Sequence, residues 1–175
     1  MRTWIIRFAL LVSLSVPLAG QTNEWHNYRN VDGNFSALLP GEPKENVSTD
    51  PDGTTTHTIQ TVADSVVFLV VYVAAPAEQQ VDEATFNVYR DAFLKGLPNC
   101  DLVKEDAPSP AVTAHVGHSY RLSCLVGDTR YIFVGNLYWG KHRAYAVLSM
   151  FQPAASDPLT ARKFINSFAV IDTAK

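Results

Sequence analysis

His115 and His118 stand three residues apart in "HVGH", with Gly117 between them and a β-prone run behind. Imidazole nitrogens are common zinc donors, but two histidines at this spacing share an ion only on one helical face or across a tight turn. Gly117, placed before a strand-like run, leaves the turn option open. A tetrahedral site needs two more donors, and no CxxC or HExxH pattern supplies them. The plain reading is two polar residues at a strand edge, with His115 and His118 kept as candidate metal ligands.

Cys100 and Cys124 are the two cysteines of the chain. They lie too far apart for a CxxC redox motif. In an exported protein such a pair reads as one structural disulfide, which the chain-entropy account values at about 3–4 kcal/mol less any strain; two buried thiols are the alternative. With both sulfurs in that bond, no thiolate is left for nucleophilic catalysis. A G-x-S-x-G elbow and phosphate-binding glycine loops are absent as well. Glu83 and Asp91 fall on the solvated face of a predicted helix. Asp50, Asp52 and Gly53 suggest a calcium loop, but Pro51 and the threonines that follow break its spacing, so a Pro-Asp-Gly turn is expected. No catalytic set and no cofactor emerge.

Aromatic residues offer a different chemistry. Tyr131, Phe133 and Tyr145 read as core. Tyr138 and Trp139, beside the predicted Gly140-Lys141 turn, form a candidate exposed recognition surface. Asn34 and Asn46 begin Asn-x-Ser sequences, read as chance matches because the leader looks bacterial.

That leader occupies residues 1–20. Arg2 and Arg7 precede an apolar run from Phe8 to Val16, and small residues follow at Ala19 and Gly20, the order of a secretory signal. The apolar core is short for a membrane anchor. "LAGQ" is close to a lipoprotein box, but Gln21 stands where the acylated cysteine would be, so no stable membrane anchor is expected after cleavage. Residues 21–175 then form one domain. The chain has 175 residues, 47% hydrophobic and 18% charged, with a net charge of −3 and no run of like charge, which gives no footprint for nucleic acid.

The elements that must position these residues can be read in turn. Asp32-Gly33 predicts a two-residue hairpin turn ahead of a strand whose Phe35, Ala37 and Leu39 share a face and which Pro40 and Pro43 terminate. Residues 44–53 read as a loop or a wide hairpin end. "TTTHTIQTVA" and "VVFLVVYVA" read as strands around Asp64-Ser65, the second apolar on both faces and so interior to its sheet. Asp82 caps a helix with a Phe86, Tyr89, Phe93 stripe, while Glu83, Asn87, Arg90 and Asp91 face outward and Gly96 closes it. A short strand at "CDLVKE" and an irregular proline-bearing stretch precede a three-strand meander turning at Gly127-Asp128 and Gly140-Lys141. Asp157 and Pro158 open a last helix with Ala161, Phe164, Ile165 and Phe168 buried. The order predicts an α+β fold, one antiparallel β-sheet flanked by helices.

"GNFSALLPGEP" resembles the opening of PsbP-like domains, and "FINSFAVI" resembles their closing helix. The resemblance spans Trp25 to Ile171. It implies an α/β/α sandwich and an accessory, non-enzymatic role like that of the photosystem II extrinsic protein or of DcrB-like periplasmic lipoproteins, although fold alone does not fix function. The expectation is an exported accessory or binding protein, periplasmic or extracellular, whose partner is another envelope or extracellular protein. The alternatives are a small-ligand or metal carrier and, behind it, an unrecognised hydrolase.

Overall fold

The computed structural model describes residues 24–74, 82–97, 99–106, 116–139, 143–154 and 158–171. The predicted leader, His115, the Gly140-Lys141 turn and Asp157 lie outside the described residues. Among the described residues ten strands and two helices run in the order β1 (Trp25–Asn30), β2 (Phe35–Pro40), β3 (Lys44–Thr49), β4 (Thr55–Ala63), β5 (Val66–Ala74), α1 (Glu83–Lys95), β6 (Cys100–Asp106), β7 (Val116–Val126), β8 (Thr129–Trp139), β9 (Arg143–Phe151), α2 (Leu159–Ser167) and β10 (Ala169–Val170).

The strands form two antiparallel sheets, one of seven strands in the order β3-β4-β5-β9-β8-β7-β6 and one of three in the order β1-β2-β10. This corrects the expected single sheet flanked by helices in an α/β/α sandwich. The molecule is mostly β-sheet, and one side of the large sheet is covered by the small sheet together with α2. The physical cause lies in β2. Pro40 cannot extend a ladder, and Gly41 turns the chain at φ 64, so the first hairpin leaves the main sheet and packs across it. Phe35, Ala37 and Leu39 are then buried against Phe68, Val70 and Tyr145.

The other side of the large sheet carries α1. Asp82 caps the helix by accepting from the Thr85 amide at 2.8 Å, and Phe86, Tyr89 and Phe93 enter the core with Leu122, Phe133 and Trp139. β5 is apolar on both faces because it lies between β4 and β9 with cover on each side.

Three local expectations also change. The first hairpin turns through Val31–Asn34, not through a two-residue loop; the positive φ falls on Asn34, and the Gly33 amide donates to the Asn30 side chain at 2.5 Å. Gly33 is required by packing, since a Cβ there would lie 2.7 Å from Phe35 and 2.9 Å from Tyr72. Lys44–Thr49 is a strand, exposed along its whole length, which is why no hydrophobic alternation announced it. Pro158 occupies the N-cap of α2 in place of its first turn.

Candidate functional site

The polar side chains that come together most closely do so where α1 crosses the β6–β7 edge. In β7, alternation directs Val116, His118, Tyr120, Leu122 and Cys124 toward α1, and the apolar members of that row join the core. β6 starts in step, with Cys100 opposite Cys124 and Leu102 opposite Leu122, and then shifts register between Leu102 and Lys104. The extra residue, Val103, moves Glu105 opposite Tyr120 and onto the α1 side, which regular alternation from Leu102 would have given to Lys104.

Glu105 Oε1 accepts from His118 Nδ1 at 2.8 Å, from the Tyr120 hydroxyl at 2.9 Å and from Arg90 at 3.4 Å. On the far side of the imidazole, Nε2 lies 3.2 Å from Glu83 Oε1. The Phe86 ring centroid sits 5.0 Å from that of His118 and fixes the ring's face. Arg90 also forms an ion pair with Asp91 at 3.0 Å. Burial pushes the Glu105 carboxyl up, but the hydrogen bonds from His118 and Tyr120 and the positive charge of Arg90 outweigh it, holding the group below the usual carboxylate range. Burial, then the adjoining carboxylate, drives the Tyr120 phenol well above its ordinary value.

Of the two candidate metal ligands, His118 falls among the described residues. Its two nitrogens meet two different carboxylates, so no single ion can touch Glu83, Glu105 and the imidazole together. Among the described residues no group of three His, Cys, Asp or Glu side chains is arranged to hold a metal. Its polar partners are carboxylates, not a hydroxyl or thiol nucleophile.

Tyr138 and Trp139 are not the exposed pair expected at the strand end. They retain 3% and 4% exposure and point to opposite sides of β8. Tyr138 stacks on Phe168 at 5.6 Å, and Trp139 packs on Tyr89 at 5.2 Å. The strand is interior, so both of its faces are covered and neither ring reaches solvent.

Cys100 and Cys124 form a disulfide between directly paired positions of β6 and β7. The cross-link suggests an oxidising, exported compartment. Four apolar residues within three positions of the two cysteines are exposed: Leu102 at 47%, Val103 at 57%, Leu125 at 42% and Val126 at 37%. Sequence reasoning missed this tip, and it placed Glu83 and Arg90 facing plain solvent. The available signal was the row His118, Tyr120, Leu122, Cys124, whose polar end needs polar partners from whatever covers its apolar end.

A second polar group lies at the opposite end of the sheet. His57 stacks on Tyr72 with centroids 4.5 Å apart and pairs with Glu45 at 3.0 Å, while Arg143 stands 5.7 Å over the Tyr72 ring. Among the described residues the buried Tyr72 hydroxyl has no hydrogen-bond partner, and burial pushes the phenol up to about 12.

No family model matches the chain, and no curated protein matches it. Among solved structures it is similar to a Pseudomonas aeruginosa protein of unknown function, at 10% identity and a TM-score of 0.41, over 74% of this chain and 84% of that one.

Proposed function

We propose that the chain is an exported, non-enzymatic binding protein of the periplasm or extracellular space, and that it recognises another envelope or extracellular protein through the disulfide-linked tip of β6 and β7. The observation that carries this reading is the exposure of Leu102, Val103, Leu125 and Val126, each within three positions of Cys100 or Cys124. Exposed apolar side chains concentrated near one end of a pair of strands are candidates for a contact surface. The disulfide fixes the two strands before any encounter, so docking orders little extra chain. The resemblance of "GNFSALLPGEP" and "FINSFAVI" to PsbP-like domains is in keeping with an accessory role of this kind.

Photo-crosslinking in the native envelope tests it. A crosslinker at Val103 or Leu125 captures the same partner, a crosslinker at Leu159 on α2, which is more exposed still, does not, and Leu102→Ser with Leu125→Ser abolishes capture. Equal capture from Leu159, or capture that survives the serine pair, overturns the reading.

A further inference from the structure

We propose that two copies of the chain associate through β3, pairing antiparallel across a two-fold axis so that their seven-stranded sheets become one continuous sheet. β3 and β6 are the two edges of the large sheet, and they differ. β6 carries a register shift at Val103 and the charges of Asp101, Lys104, Glu105 and Asp106, devices that discourage further pairing. β3 keeps an unbroken register with β4 over Lys44–Thr49, is exposed along its whole length and leaves Val47 at 52% exposure. This surface is independent of the apolar tip.

The hydrogen bonding of β3 fixes what this edge offers. The Asp50 amide donates to the Thr54 carbonyl at 2.9 Å, which continues the β3–β4 register one step beyond Thr49–Thr55. Bonded and non-bonded pairs alternate along an antiparallel ladder. Asp50, Ser48, Asn46 and Lys44 therefore turn their backbone groups toward β4, while Glu45, Val47 and Thr49 turn N–H and C=O outward. Among the described residues no strand meets that outward row.

A second β3 fits the row in one register. A two-fold axis normal to the sheet keeps each face on its own side, so odd-numbered residues meet odd-numbered ones. With Val47 opposite Val47, Glu45 falls opposite Thr49, and all three outward residues of each copy bond in pairs. A slip one way sets Thr49 opposite Pro43, and a slip the other way sets Glu45 opposite Pro51; proline has no amide hydrogen to give. The favoured register also places Lys44 opposite Asp50 of the second copy, at two symmetric contacts. Neither residue has an ion pair among the described residues. Matched charges, the valine contact on the axis and the proline stops are what argue for a second copy as the occupant. The two β6 tips then lie at the far edges of the joined sheet and stay free.

Sedimentation equilibrium and amide hydrogen exchange of the full chain test the assignment. One strand pair is smaller than a stable interface, so a reversible monomer–dimer equilibrium that shifts with protein concentration is expected. As dimer forms, the Glu45, Val47 and Thr49 amides should gain protection, while Asn46 and Ser48, already bonded to β4, should not. Val47→Pro should abolish association and leave the β3–β4 ladder intact, because the amide it removes points outward. Lys44→Glu and Asp50→Lys should each weaken association about tenfold. An equal mixture of those two variants should recover it, because opposite charges then meet at both contacts. Leu102→Ser with Leu125→Ser should leave it unchanged. A monomer at every concentration, a dimer that survives Val47→Pro, a mixture no tighter than either charge variant alone, or a dimer lost in the leucine pair overturns the proposal.

Discussion

Glu105 Oε1 and the Tyr120 hydroxyl lie 2.9 Å apart across the β6–β7 ladder, and their ionisations are pushed in opposite directions. The same short bond keeps the carboxylate charged and the phenol neutral. Glu105 is thus a charged acceptor, mostly removed from water, that serves three donors at once.

Replacing Glu105 by Gln should lower stability by about 1–2 kcal/mol, because charge-assisted bonds to Tyr120, His118 and Arg90 weaken together. The carboxyl has a folded-state pKa below its unfolded value. Its contribution is therefore present above the unfolded carboxylate range and disappears as pH falls through the folded value. Urea melts of wild type and Glu105→Gln should differ at neutral pH and converge in acid. A constant difference across that range would mean that Glu105 does not act as the shared charged acceptor of the three donors.

Reducing Cys100–Cys124, or replacing both cysteines by Ser, should cost about 3.5 kcal/mol if the chain-entropy account holds for a sequence separation of 24. The loss belongs chiefly to the unfolded state, so the fold should survive with a lower Tm. Denaturant titration with and without reductant measures it. An unchanged midpoint would mean that the β6–β7 ladder alone fixes the edge.

Tyr72→Phe should leave stability unchanged or raise it by about 1 kcal/mol, because it deletes a buried hydroxyl that has no partner among the described residues. It should also reduce alkaline sensitivity. The phenol is raised to about 12, so its stabilising contribution is complete below the ordinary tyrosine value of about 10 and is lost as pH rises toward 12. Tyr89, Tyr120 and Tyr138 are raised as well and add to the same alkaline loss. Phenolate absorbance followed against pH reads this directly. Ionisation of every tyrosine near pH 10 without unfolding would contradict it.

What was legible in the sequence followed from burial. Phe86, Tyr89 and Phe93 at helical spacing, Phe35, Ala37 and Leu39 at strand spacing, and the doubly apolar Val66–Val73 run all met a core, since the core rewards periodicity directly. β3 was illegible because an exposed edge strand has no apolar face to show. The second sheet was illegible for another reason: a hairpin reads the same whether it extends a sheet edge-on or packs across it. The partners of His118 could not be read either. Glu83, Arg90 and Glu105 are brought to it by the crossing of α1 over β7 and by a one-residue register shift, and neither leaves a periodic trace. The aromatic pair Tyr138–Trp139 misled because an interior strand stays buried to its end.

The small sheet closes between distant parts of the chain: Ala169 and Val170 pair with Ser36 and Phe35, and the Ile171 amide donates to the Asn34 carbonyl at 2.8 Å. Vectorial synthesis therefore presents Phe35, Ala37 and Leu39 long before their lid exists. The meander can zip from neighbouring strands as it emerges, but the β2 layer must wait for residues made more than a hundred positions later. Non-local closure of this kind slows folding and leaves the early hairpin open to chaperones. Under the exported reading proposed above the delay is useful, because a domain that cannot finish before its last strand arrives stays threadable until it has crossed.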